Sequence, residues 1–362
     1  MARAAEFAGR NQFTQAQAEY REALRMAEDS PRPNVRLAQS LNNLGMHYAA
    51  QFRFGEAETL VRRAAAEWES ALGPTHGDVA VGLTNLGNIL YSQGRFAEAR
   101  QVYQRALEIR ENSSEADPLA VARSLNNLAE VLRHEGDAAG AESLLRRASK
   151  VLAGSETAEA AASLNNLGQI FAARANHAEA EPLLRRAVEI WEKALGPENP
   201  SVAAGLNNLG ALYRDTSRHA EAETLYRRSL SIREKTQGPG HPSYAQSLSN
   251  LAVLYFDQKR YAEAETLLRD SIAITRKVLG PAHPDLALRF VNLGDLLARG
   301  ERYAAAEAFY RQALEIERGA RASKTQVSNI QASNARDKLA SVLRVQGRAQ
   351  EAKRLYRKSF AE

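Results

Sequence analysis

The chain has 362 residues, too many for one hydrophobic core of ordinary size, so it holds either several domains or a repeat array. It contains no cysteine, which excludes disulfides and thiolate metal sites and leaves the redox compartment open. The formal charge is +5, and apolar runs such as "LAVLYF" fall far short of the roughly 18 residues that suggest a membrane-spanning helix. The opening "MARAAEFAGRNQFTQ" has no apolar segment of the kind a secretory signal needs, so a cytoplasmic location is expected.

One phrase recurs along the chain: "QSLNNLGMHY", "VGLTNLGNIL", "RSLNNLAEVL", "ASLNNLGQIF", "AGLNNLGALY", "QSLSNLAVLY" and "LRFVNLGDLL". Its first leucine falls at Leu41, Leu83, Leu125, Leu164, Leu206 and Leu248, and Phe290 then takes its place, in steps of 42, 42, 39, 42, 42 and 42. A fixed period of this size marks stacked supersecondary units, each too small to bury its own apolar face. Within a unit, apolar residues recur at helical spacing in two blocks separated by a short break such as "RANH" or "SQGR". Most units close with a Gly-Pro loop, "LGPTHG", "LGPENP", "QGPGHP" or "LGPAHP", which ends the second helix and turns the chain back. Each unit is therefore a helix A, a turn, a helix B and a loop.

Nine units follow in order. Residues 1–36 form an incomplete first unit, because "AAEFAGRNQFTQAQAEYREAL" matches only the end of helix A and all of helix B. This leaves Met1 inside a helix, so an upstream segment, or a partner chain or domain covering the N-terminal end, is expected. Units two to eight span 37–78, 79–120, 121–158, 159–201, 202–243, 244–285 and 286–325. Unit four has a shortened loop, "LAGSETAEAA", without Gly-Pro. The final unit, 326–362, follows an irregular insertion and lacks the asparagine phrase. Residues 318–362 carry eleven Lys/Arg against three Asp/Glu.

Small residues supply a reason for helix A to pair with helix B. Helix A carries Gly or Ala after its second leucine, at Gly45, Gly87, Ala129, Gly168, Gly210, Ala252, Gly294 and Ala340. Helix B carries alanine at Ala16, Ala57, Ala99, Ala141, Ala180, Ala222, Ala264, Ala306 and Ala352. Facing small residues let helix axes approach to the short end of the usual range, about 8 Å.

The order Leu, Leu-Gly, aromatic or Leu on helix A, then Ala, aromatic or Leu, Ala on helix B, resembles the tetratricopeptide repeat, whose usual period is about 34. The longer unit, with "LNNLG", "AEAETLYRRSLSIREK" and "LGPAHPDLA", looks most like the repeats of kinesin light chains and their bacterial relatives. The resemblance covers nearly the whole chain and implies an all-α, right-handed superhelical solenoid of helix pairs. This sequence holds no heptad coiled coil of the kind by which kinesin light chains bind the motor, so motor association is not implied.

The asparagines conflict with local propensity, since their amides compete for backbone hydrogen bonds in a helix. With the first leucine of helix A at zero and about 100° per residue, the second leucine and the small residue fall on the core side. The second asparagine points to about 200°, away from that core. The resemblance implies that the A faces line the concave side, so the groove contains Asn43, Asn85, Asn127, Asn166, Asn208, Asn250 and Asn292. An amide with donors and an acceptor can pair with an extended peptide backbone without reading its sequence. Such an amide can equally bridge to the neighbouring helix and fix the stacking, above all the first of each pair, Asn42, Asn126, Asn165 and Asn207, which points sideways.

The same face carries Asn88, Glu130 and Gln169, with Arg123 in unit four and Arg214 at the edge. Ala162, Ala173, Ala204 and Ala211 leave room for a ligand, and Arg123 and Arg214 are expected to favour an acidic one.

No motif for catalysis or a cofactor emerges. Three histidines, His76, His241 and His283, share one loop slot, and His177 and His219 share the start of helix B, as structural residues would. No HExxH, G-x-S-x-G or P-loop is present. The reading is a non-catalytic scaffold that binds a peptide or protein segment in the groove, without cofactor, metal or membrane. The alternative is a nucleic-acid-associated repeat using the basic C-terminal end. It is disfavoured because Tyr91 and Phe256 are the only pair of stacking aromatics at one shared groove position.

Overall fold

The structure, a computed structural model, describes residues 13–29, 33–113, 117–322 and 329–357. The expected partial helix around Met1 lies outside these residues, as do parts of the basic C-terminal segment. The described residues hold seventeen α-helices and no strand. They fall into two compact units, Met1–Gly154 and Ser155–Glu362, divided in the shortened loop of unit four.

In the first compact unit, helix B of the opening repeat is Phe13–Glu28, and the helix pairs Val35–Ala50 with Phe54–Leu72, Gly77–Ser92 with Phe96–Glu111, and Pro118–Glu135 with Ala138–Val151 follow. In the second, the pairs are Ala158–Ala173 with His177–Leu195, Pro200–Asp215 with His219–Gln237, Pro242–Asp257 with Tyr261–Leu279, Asp285–Arg299 with Tyr303–Ala322, and Asn329–Val345 with Ala349–Arg357. Within each compact unit, every helix A packs on its own helix B, and helix B packs on the next helix A.

The starts of the A helices explain the periodic histidines. His76, His241 and His283 each turn Nδ1 to accept a backbone N–H two residues on, at 3.1, 3.1 and 3.3 Å. Asn34, Asp117, Thr157 and Asn199 fill the same slot with oxygen acceptors. Each satisfies an orphan donor of the first turn. The ends of the B helices explain the Gly-Pro loops. Gly196 sits at φ 89° and ψ 155°, a region essentially closed to any residue with a Cβ.

The B-helix alanines at 16, 57, 99, 141, 180, 222, 264, 306 and 352 are all fully buried. Opposite them, a Cβ added to Gly45 would lie 2.6 Å from Val61 Cγ2, and one added to Gly168 would lie 2.8 Å from Leu184 Cγ. The small residues are thus required by close approach of the helices, as the sequence implied. The tryptophans fill the next interface: Trp68 packs on Gly82, and Trp191 packs on Gly205 and donates to Ala158 O at 3.1 Å.

Arginines tie consecutive B helices together. Arg95, Arg218 and Arg260, each just ahead of a helix B, reach Glu58, Glu181 and Glu223 of the preceding one at 2.6, 2.9 and 3.2 Å. Arg218 and Arg260 also stack over Tyr213 and Tyr255, 3.8 and 3.6 Å from the ring centres. Adjacent arginines on helix B are ion-paired, for example Arg62 with Glu58, Arg63 with Glu28, Arg227 with Glu223 and Arg228 with Glu192. Among the described residues, no helix is long and apolar enough to cross a membrane, and no cluster of acidic residues and histidines could hold a metal ion.

Candidate functional site

Four of the phrases have two adjacent asparagines and three have only the second of them, and the two positions differ in burial. Asn42, Asn126, Asn165 and Asn207 are buried against neighbouring helices. Asn43, Asn85, Asn127, Asn166, Asn208, Asn250 and Asn292 are half-buried on the other side of the A helices. Helix Val35–Ala50 touches Gly77–Ser92 in the first compact unit, and successive A helices touch in the second, so amides of neighbouring repeats approach one another there.

The approach produces amide-to-amide bonds. Asn85 Nδ2 donates to Asn42 Oδ1 at 2.8 Å, and Asn42 Nδ2 donates to Asn43 Oδ1 at 3.5 Å. Gln39 adds a second donor to Asn43 at 3.1 Å. The pattern recurs in the second compact unit: Asn208 Nδ2 donates to Asn165 Oδ1 at 2.9 Å, and Asn165 Nδ2 donates to Asn166 Oδ1 at 3.1 Å. Gln169 donates to the same Asn166 oxygen at 3.4 Å. Asn207 has a different duty. Its amide oxygen accepts from Arg233 at 3.1 and 3.3 Å and from Ser247 Oγ at 3.0 Å. Arg233 is buried, its hydrogen bonds go to neutral acceptors, and burial pushes its guanidinium down to about 10.

The charged members of the predicted face are engaged as well. Glu130 accepts from Tyr91 Oη at 2.9 Å and pairs with Arg133 and with His134, 3.4 Å away. Burial opposes its ionisation, but hydrogen bonds from His134 and Arg133, with their charge, hold the carboxyl well below the usual carboxylate range. Phe96 stacks on His134 with ring centres 4.8 Å apart, which closes this cluster. Asn88 accepts from Tyr103 Oη at 2.6 Å.

Arg214 differs from expectation. It pairs with Asp215 at 2.7 Å and faces Asp257 of the next helix A at 3.6 Å, so it brings no surplus positive charge. Its acidic partner from the next repeat was not visible from the wheel of its own helix. Arg123 is exposed, and its charge helps push the Arg110 guanidinium down, after burial. In the basic C-terminal segment, the described Lys338 and Arg348 pair with Asp295 and Glu307.

A cleft of about 420 Å³ opens on a different side, between the B helices of units five and six, lined by Arg185, Glu189, Glu192, Tyr213, Glu221 and Arg228 among others. Sequence reasoning did not find it. Its polar walls are the salt-bridged faces that the paired arginines create.

Comparison with known proteins bears on the repeat fold. Residues 36–112, 78–154, 120–193, 159–235, 201–277 and 243–318 match the tetratricopeptide repeat family. No curated protein matches the chain. Among solved structures, a Rap protein complexed with Competence and Sporulation Factor is 17% identical, with TM-score 0.60, over 96% of this chain and 97% of that one. The Rap conjugation gene regulator of the plasmid pLS20, in complex with the Phr* peptide, is 13% identical, with TM-score 0.65, over 82% of this chain and 78% of that one. Nearly identical kinesin light chain repeats from Podosopora anserina are 28% identical, with TM-score 0.44, over 59% of this chain and 99% of that one. The repeat period, the small-residue interfaces, the helix pairs and the family match lead to one assignment: the chain belongs to the tetratricopeptide repeat family.

Proposed function

We propose that this protein is a non-catalytic scaffold that binds an extended peptide or protein segment along the asparagine-bearing faces of its A helices. The observation that carries the reading is the recurrence of a half-buried carboxamide at one helix position, from Asn43 to Asn292. The bonds between these amides do not exhaust them. Asn208 donates one of its two protons to Asn165, and its oxygen accepts none of the described hydrogen bonds. Asn166 is engaged through its oxygen, and its two N–H groups donate none of the described hydrogen bonds. A ladder held in this way is preorganised, and binding to it loses little side-chain entropy.

Support also comes from the family, whose folds are typically non-catalytic scaffolds, and from the Rap structures, one of which was solved with a peptide. Arg214 is already paired, so it does not favour an acidic ligand. Cytoplasmic residence belongs to this reading.

The test uses peptides selected on the full chain from a random-peptide display library. Replacing Asn166 and Asn208 by alanine is expected to weaken their binding about tenfold or more, as loss of two hydrogen bonds of about 0.5–1.5 kcal/mol each implies. Unchanged binding with a lowered melting temperature would overturn the reading and leave the ladder as a joint between repeats.

A further inference from the structure

Three repeats contain a device in which a helix-B tyrosine crosses a helix-A glycine. The pairs are Gly87 with Tyr103, Gly210 with Tyr226, and Gly294 with Tyr310. A Cβ at these glycines would lie 2.4, 2.8 and 2.6 Å from the tyrosine Cε1 atom. Each ring therefore passes through the gap that the glycine leaves in helix A. In two of the three, the hydroxyl reaches the residue that follows the glycine, which lies on the asparagine-bearing face. Tyr103 Oη donates there to Asn88 Oδ1 at 2.6 Å, and Tyr310 Oη donates to Asp295 Oδ1 at 2.7 Å.

In unit six the following residue is Ala211, which has no acceptor. Tyr226 is fully buried, and its hydroxyl has no hydrogen-bond partner among the described residues. Leaving such a group unsatisfied costs on the order of 1–3 kcal/mol. Burial pushes the Tyr226 hydroxyl up, opposed by Arg214 and reinforced by Asp215 and Asp257, so it remains a proton donor at neutral pH. The side-chain acceptor that Asn88 and Asp295 supply in the other two repeats has no counterpart on Ala211. Ala204, one turn before Asn208 on the same stripe, is also small and only partly buried.

Resting on the peptide-binding reading above, we infer that Tyr226 and Ala211 form a subsite for a side-chain carboxamide, Asn or Gln, of the bound peptide. The ligand carbonyl accepts from Tyr226 Oη in the position that the Asn88 amide holds against Tyr103. The ligand N–H groups face Asp215, which is exposed at the end of the same stripe.

Charge decides for the amide over a carboxylate. Arg214 stands between Asp215 and Asp257, which leaves the surroundings net negative. In unit eight, where a carboxylate does accept the tyrosine proton, Lys338 of the next helix A neutralises Asp295. Lys338 stands two residues before Ala340, as Asn250 stands two residues before Ala252. The repeat that follows Ala211 therefore offers a neutral amide where Asp295 receives a cation.

The experiment selects peptides from a random-peptide display library on the wild-type chain and measures them against Tyr226→Phe and Ala211→Asn. The first variant removes the donor, and the second supplies the internal acceptor found in unit three. Expected are peptides that share an Asn or Gln and lose about tenfold in affinity on each variant, while neither variant melts at a lower temperature than wild type. Enriched peptides that bind both variants as tightly as wild type, or that carry Asp or Glu in place of the amide, would overturn the subsite and leave the groove standing. No enrichment over an unrelated control protein would remove the groove reading and the subsite with it.

Discussion

Asn85 and Asn42 lie 43 residues apart and share a hydrogen bond of 2.8 Å between their side-chain amides, and Asn208 and Asn165 repeat the arrangement at 2.9 Å. In each case the exposed-side asparagine of one repeat donates to the buried asparagine of the repeat before it. The asparagines therefore have a structural duty whatever they bind. A double-mutant cycle of Asn165→Ala and Asn208→Ala, read by chemical denaturation, is expected to give a coupling of about 0.5–1.5 kcal/mol. Strictly additive effects would show that this bond does not join the repeats.

The loop glycines and the A–B turns make opposite predictions. Gly196 at φ 89° and ψ 155° sits where a Cβ is strongly disfavoured, so Gly196→Ala is expected to destabilise by about 1–3 kcal/mol. Ala175 occupies the left-handed region at φ 57°. Ala175→Gly is expected to stabilise by about 0.5 kcal/mol, the steric relief exceeding the added chain entropy. Thermal melts of the two variants that move in the same direction would contradict this account of the backbone.

The Glu130 cluster predicts a pH dependence. Its carboxyl titrates below the ordinary value of 4.5, so its contribution is fully present above that pH and fades as pH falls through the depressed folded value. Glu130→Gln is expected to cost about 1–3 kcal/mol at neutral pH, by leaving Arg133 and Tyr91 poorly partnered. The gap between wild type and variant should close on acidification. A gap of constant size from pH 7 to pH 3 would mean that the ionised carboxylate contributes nothing.

Much of the fold was legible because the residues that impose it recur at a fixed period. The B-helix alanines, the A-helix glycines and the Gly-Pro loops each record a local steric demand, and the demand is repeated. The histidines at 76, 241 and 283 carried the same signal, and their caps on the A helices account for it. The candidate face was legible only in direction. A wheel of one helix shows where Asn208 and Arg214 point, but their partners Asn165 and Asp257 belong to other repeats. The orphan hydroxyl of Tyr226 could have been suspected from the spacing Gly87–Tyr103, Gly210–Tyr226 and Gly294–Tyr310. That signal crosses from one helix to its partner, and a pattern read along one helix does not register it.

The central claim is that the ligand lies on the A-helix face and not in the cleft between B helices. Photo-crosslinking tests this most directly, with benzoylphenylalanine placed either at Val253, three residues beyond Asn250 on helix A, or at Thr224, on the wall of the B-helix cleft. Both variants are exposed to the same library-selected peptide. The account predicts a covalent adduct from Val253 and none from Thr224. An adduct from Thr224 alone would contradict it and place binding in the cleft.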